Sequence, residues 1–122
     1  MSHRRFHHPE DHTAFAFSKE SDDLITWWER KYPSERRASA VIPALWITQK
    51  QNAGWLSEPA LRAVADRLGM TYIRVYEIAT FYTMFNLEPV GKYHFQVCGT
   101  TPCMLRGADK LKDFCERKIG PK

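Results

Sequence analysis

No apolar run in the 122 residues approaches the ~20 needed to cross a bilayer, so a membrane-spanning helix is not expected. The amino terminus also lacks the apolar stretch of a secretory signal. Arg4 and Arg5 are followed by His7, His8, Glu10 and Asp11, and twin arginines without a hydrophobic segment behind them read as tail charges. The expectation is a soluble, unexported protein. Cysteine is scarce: Cys98, Cys103 and Cys115 cannot all pair within the chain, and without export a disulfide framework is not expected, which leaves metal or redox chemistry as the better use of thiols. Acidic excess is missing too. The net charge is +4, and up to Val97 basic and acidic residues nearly cancel. From Cys98 onward Arg106, Lys110, Lys112, Arg117, Lys118 and Lys122 face only Asp109, Asp113 and Glu116, so the positive surplus accompanies the cysteines. Such a surplus suits an anionic cofactor or an acidic partner, and a solvated lysine-rich helix face accounts for it equally.

Residues 1–17 show neither helical nor strand period and read as a mobile tail; the histidines there, His3, His7, His8 and His12, have no carboxylate or thiol fixing them and are assigned no role. From Ser21, a candidate cap, the pattern is helical, with Leu24, Ile25, Trp27 and Trp28 on an apolar stripe that closes at Tyr32-Pro33. A second helix is predicted from Ser39, with Val41, Ile42, Leu45 and Trp46 inward and Pro43 in its first turn, ending near Asn52-Ala53-Gly54. Ser57 opens a third, with Leu61, Val64, Ala65 and Leu68 at helical spacing before Gly69 stops it. Thr71 caps a fourth, through Val75, Ile78, Ala79 and Tyr82. Asn86 to Gly91, with Pro89, reads as a connector.

Beyond it Tyr93, Phe95 and Val97 alternate with His94 and Gln96, predicting a short strand that runs into Cys98-Gly99-Thr100-Thr101-Pro102-Cys103. A helix follows, with Leu105, Ala108, Leu111 and Cys115 on one side until Gly120-Pro121. One strand and one helix cannot cover both faces of a sheet, so the unit from Tyr93 to Gly120 is expected to expose apolar surface and to associate. Cys98 and Cys103 bracket four residues, a spacing also found in one half of plant-type 2Fe-2S sites. Thr101 is the expected cap of the helix, where free amides lower a thiolate pKa and hydrogen-bond to sulfur. Gly99, Thr100 and Thr101 are the candidate residues around the sulfurs, although a simple turn accounts for them as well. Two buried cysteines are the plain alternative, against which their loop position argues; Cys115, on the apolar stripe, is read as core and not as a ligand.

The segment Val97 to Ala108 resembles the first cluster-binding segment of the thioredoxin-like 2Fe-2S subunit of NADH:quinone oxidoreductase, respiratory complex I. Glu77 to Phe85 is similar to the same family's helix end, and so is Ile42-Pro43-Ala44-Leu45 with Gln49, Gly54, Trp55 and Leu56. The resemblance implies an α+β chain: a helical bundle over residues 18–88, then over 89–122 the first strand-helix unit of a thioredoxin-like 2Fe-2S ferredoxin domain. It implies Cys98 and Cys103 as two of four cluster ligands, the second pair falling later than Lys122. The chain is therefore expected to be truncated and not to hold the 2Fe-2S cluster alone. The implied partners are the NADH- and FMN-binding subunit, whose flavin passes an electron to the cluster, and other peripheral-arm subunits. The implied place is cytoplasmic, peripheral on the inner face of the respiratory membrane, with no membrane insertion, no nucleic acid and no independent catalysis. The same module serves soluble hydrogenases and formate dehydrogenases.

Three rivals come from the residues themselves. Ala65, Gly69 and Val75 have helix-turn-helix spacing, but from Thr71 to Tyr82 only Arg74 is cationic, against Glu77, which does not suit DNA. A thiol-disulfide oxidoreductase normally separates its cysteines by two residues, not four. Zinc held by two thiolates of this chain and two outside ligands is the third.

Overall fold

A computed structural model describes residues 14–120. The histidines His3, His7, His8 and His12, and most of the stretch read as a tail, lie outside the described residues. Two compact units divide the chain, one ending at Gly91 and the other beginning at Lys92.

In the first unit α1 covers Lys19–Glu29, a 3-10 segment kinked at Arg36 covers Ser34–Ala40, and α2, α3 and α4 cover Val41–Gln51, Glu58–Leu68 and Tyr72–Phe81. The cap of α1 is Ser18, not Ser21: the Ser21 amide donates to Ser18 Oγ at 3.2 Å and Ser21 is itself buried inside the helix. A distant residue fixes that choice. Gln51 Oε1 accepts from the Ser18 amide (3.1 Å) while its Nε2 donates to the Ala16 carbonyl (2.8 Å), tethering the entry to α1 from the end of α2. Pro43 stands in the first turn of α2, where its missing donor costs no helical bond. Ser57 caps α3 through the Ala60 amide (3.4 Å), and Gly69 ends it in the left-handed region at φ 65°, a conformation strained for any residue with a Cβ.

The core of this unit gathers Ile25, Leu45, Leu56, Leu61, Val64, Val75 and Phe85, all fully buried. Each such side chain contributes roughly 1.5–3 kcal/mol of transfer free energy. The expected stripes are corrected in detail. Ile25 carries the core face of α1, with Trp28 packed at its edge, while Leu24 and Trp27 are exposed; the Lys31 Nζ lies 3.7 Å from the Trp27 ring centroid. Trp46, expected inward, is also exposed in part, as is Tyr82, and each is set edge-on to the buried Phe85 ring.

In the second unit α5 covers Thr101–Leu105 and α6 covers Ala108–Ile119, separated where Gly107 takes φ 97°. Sequence periodicity runs straight through that break. The predicted strand over 93–97 is not formed: no regular structure is assigned to residues 94–99. A strand exists by exchanging hydrogen bonds with a neighbour, and the described residues supply none. None of the described residues of this unit is buried; Phe95 is 68% exposed and Leu105 80%, so the stripe through Leu105 and Leu111 forms no core here.

Two polar hubs lock the first unit. Arg67 on α3 reaches three groups of α1: Asp22 Oδ1 (2.8 Å), Glu29 Oε2 (2.9 Å) and Thr26 Oγ1 (2.9 Å). Arg37 joins it, donating to Glu29 Oε1 (3.0 Å) and to the Arg67 carbonyl (3.1 Å). Gln49, almost fully buried, accepts from the Asn86 amide (2.8 Å) and donates to the Met84 carbonyl (3.2 Å). Asn86 continues the chain of bonds, donating to the Gly54 carbonyl (3.0 Å) and accepting from the Leu56 amide (2.7 Å). Gln49→Ala strands two backbone groups of the 84–86 segment in a largely buried setting, which costs about 2–4 kcal/mol. Urea unfolding followed by tryptophan fluorescence, to which Trp27, Trp28, Trp46 and Trp55 of the first unit contribute, should show a lower midpoint with an unchanged slope; an unchanged midpoint contradicts the role.

Candidate functional site

The chemistry-bearing residues of the second unit meet at the entrance to α5. Cys98 lies in the irregular segment before the helix and is exposed; Cys103, the third residue of α5, is partly covered. Thr100 stands between them in sequence. Its backbone is extended (φ −73°, ψ 164°) and it, not Thr101, is the N-cap, yet its hydroxyl makes no capping bond. That hydroxyl lies instead 3.2 Å from Cys98 Sγ. The cap side chain is thus turned from the helix toward a sulfur. Pro102 at the second helical position removes an amide that had no helical partner, and the Thr100 carbonyl accepts from the Met104 amide (2.9 Å) to close the first turn.

Hydrogen bonding divides the two thiols electronically. The Thr100 hydroxyl, then the Thr100 backbone amide, then the Cys103 thiol all favour ionised Cys98, and together they lower it to about 7. Cys103 moves the other way: it serves as donor to Cys98, and the negative charge growing there opposes a second ionisation, so its pKa is raised. Near neutral pH the pair is one substantially ionised sulfur and one protonated one. The free amide expected at the helix entrance is among these donors, as the Thr100 amide, and the Thr100 hydroxyl outweighs it.

Cys115 sits on α6, partly covered, and has no part in this network. Among the described residues no group of three or more His, Cys, Asp or Glu gathers as a metal site. The loop offers two soft donors, which fits half of a four-thiolate iron-sulfur site or half of a zinc site and completes neither. The residue that sequence reasoning placed only among the candidates is Thr100; a Thr-Thr pair ahead of proline does not say which member turns to the sulfur. The helix-turn-helix alternative loses its cations to internal pairs: Arg74 binds Glu77 at 3.0 Å, and Arg62 binds Glu58 and lies 4.3 Å from the Tyr72 ring centroid. No helix among the described residues is long and apolar enough to cross a membrane.

One thiol on a loop and one in the first turn of the short helix that follows, the former poised to ionise, define a thiolate-donor module. The family is identified by comparison: a family model for the thioredoxin-like 2Fe-2S ferredoxin matches residues 25–122, and the chain belongs to that family. It is similar to the E subunit of the NADH-quinone oxidoreductase of Rickettsia conorii, 54% identical over 110 residues that cover 90% of this chain and 66% of the relative. The corresponding E subunit of Rickettsia prowazekii is 53% identical over 108 residues, 88% of this chain and 61% of the relative. The E 1 subunit of the Rhizobium meliloti oxidoreductase is 57% identical over 107 residues, 87% of this chain and 38% of the relative. The chain thus spans a little under two thirds of the length of these Rickettsia relatives.

In the iron-free chain, iodoacetamide modification of Cys98 should rise with a midpoint near pH 7, because the lowered pKa leaves the reactive thiolate present above that pH and lost below it. Thr100→Val removes the first donor and should carry the midpoint up toward the ordinary thiol value of ~8.5. Peptide mapping after timed alkylation reads both, and a Cys98 midpoint unmoved by the substitution contradicts the assignment.

Proposed function

We propose that this chain belongs to an electron-transfer subunit of an NADH:quinone oxidoreductase and that Cys98 and Cys103 are two of the four thiolate ligands of its 2Fe-2S cluster. The observation that carries the proposal is the Thr100 hydroxyl 3.2 Å from Cys98 Sγ, at the entrance to the helix that bears Cys103, in a member of a 2Fe-2S family. The remaining two thiolates are supplied from outside residues 1–122, since Cys115 is one thiol on a separate helix. Domain organisation follows the same lines. Residues 18–88 form the helical bundle and 89–122 begin the thioredoxin-like domain, with 93–97 becoming a strand once it has a sheet neighbour.

When bound, the cluster supplies a one-electron acceptor. The chain's own residues do the rest. Cys98 and Cys103 would hold the cluster as thiolates, hydrogen bonding favouring the ionised form at Cys98 while Cys103 would have to give up its proton. The Thr100 hydroxyl and amide hydrogen-bond to the Cys98 sulfur, withdraw density from it and favour the reduced, more negative state. The cationic surplus after Cys98 acts in the same direction. The electron comes from the flavin of an NADH- and FMN-binding partner, other peripheral-arm subunits complete the assembly, and the whole sits peripherally on the cytoplasmic side of the respiratory membrane. Oxidoreduction belongs to the assembly and not to this chain alone. The function that names the relatives, NADH-quinone oxidoreductase, favours this over a hydrogenase or formate dehydrogenase setting.

The test uses the complete polypeptide reconstituted with iron and sulfide under strict exclusion of oxygen. After reduction it should show the paramagnetic signal of a reduced cluster; Cys98→Ala and Cys103→Ala should each lose it, and Cys115→Ala should keep it. A signal that survives both of the first two substitutions overturns the ligand assignment.

A further inference from the structure

Among the described residues of the helical unit Phe81 is the most exposed large apolar side chain, at 76%, and it does not stand alone. Its ring centroid lies 5.0 Å from that of Tyr82, Tyr82 lies 6.4 Å from Phe85, and Phe85 lies 5.8 Å from Trp46, so three part-exposed rings from α2 and the end of α4 surround one buried ring. The base of this patch is fixed. Gln49, one turn after Trp46, holds the Met84 carbonyl and the Asn86 amide on either side of Phe85. Aromatic rings on a rigid base have the composition of an interface anchor. The charges around them narrow what can sit there. At the surface elsewhere in this unit a ring carries a cation of the chain itself: Lys31 Nζ lies 3.7 Å from the Trp27 centroid, and the Arg62 guanidinium 4.3 Å from that of Tyr72. Among the described residues no cation stands over Phe81 or Trp46. Arg74, the basic residue of α4, is held by Glu77 at 3.0 Å. The ten-residue α4 ends at Phe81 with no basic residue in its last turn, so the negative end of the helix dipole lies at the patch, beside electron-rich ring faces.

We propose that the patch of Trp46, Phe81 and Tyr82 is a docking surface for a segment of the NADH- and FMN-binding partner that presents a basic side chain among apolar ones, the cation lying over the Phe81 ring. The apolar neighbours of that cation pack on Trp46 and Tyr82 and close water out of the contact, which strengthens the attraction between cation and ring. Arginine fits best, because its planar guanidinium stacks on a ring and is weakly hydrated, so that covering it costs less than covering an ammonium. A second copy of this chain is the poorer occupant: a twofold contact would set two such patches face to face, with ring faces and helix ends of the same sign opposed. The identity of the partner rests on the function proposed above, whereas the patch and its charge rest on the helical unit alone.

The test takes the complete polypeptide and the purified NADH- and FMN-binding subunit and reads their affinity by calorimetric titration. Phe81→Ala should weaken binding about thirty-fold or more, the loss expected of an interface anchor, with thermal unfolding unchanged because this side chain lies at the surface. Phe81→Leu keeps apolar bulk without a ring face and should weaken binding as well, while Phe81→Tyr should preserve it. Affinity equal to the parent's in Phe81→Ala overturns the docking surface; equal affinity in Phe81→Leu overturns the cation. If the unsubstituted polypeptide does not bind that subunit, the functional reading fails and this inference falls with it, whereas binding that ignores position 81 refutes the inference and leaves the functional reading standing. A second readout needs no loss of affinity: benzoylphenylalanine is placed at position 81, the complex is irradiated, and the adduct is mapped by peptide mass. An adduct on a partner peptide that carries arginine or lysine beside apolar residues is expected. An adduct on a partner peptide without a basic residue, on a second copy or on the same chain, or no adduct in a complex that has formed, overturns the proposal.

Discussion

The side-chain amide of Gln49 is the constraint on which the first unit depends. A buried amide must have both its ends satisfied, and among the described residues this one is satisfied by backbone groups of the segment that follows α4, at Met84 and Asn86. The same segment places Phe85, the largest fully buried side chain, in the core. One residue of α2 therefore fixes the position of the chain 35 residues later, just where it leaves the helical unit on its way to the cysteines. Arg67 does the corresponding work at the other end, binding α1 to α3 through two carboxylates and a hydroxyl.

The second unit is built on a different principle. It has no buried residue among those described, and what orders its cysteine loop is a set of short polar contacts around Thr100. Surface hydrogen bonds are weak stabilisers individually. Here they act on chemistry, since the same hydroxyl and amide decide which sulfur ionises first. The cost of that assignment is visible at the helix, whose N-cap side chain is diverted from its usual partner.

Much of the helical unit was legible in the sequence. Ser57 and Gly69 mark boundaries by local chemistry, Asn52 and Thr71 stand at the expected ends although the Thr71 side chain makes no capping bond, and Leu61, Val64, Ala65 and Leu68 fall on one face because period alone puts them there. What was not legible depends on distant partners. Ser18 and Ser21 are equally good caps until Gln51 chooses between them, and Trp27 and Ile25 are equally apolar until packing buries one. The strand expected over 93–97 failed for the same reason: alternation marks a segment able to join a sheet, and the sheet is a property of its neighbours. At the site, spacing picked out Cys98 and Cys103, while the selection of Thr100 over Thr101 came from backbone geometry that a repeated residue type conceals.

The central claim is that the sulfurs of Cys98 and Cys103 touch iron. It is tested most directly by replacing each cysteine in turn with selenocysteine enriched in a magnetic selenium isotope, in the complete polypeptide, and measuring hyperfine coupling to the reduced cluster's electron spin. The account predicts resolved selenium coupling from both positions and none from position 115; a cluster signal without coupling from 98 or 103 contradicts it.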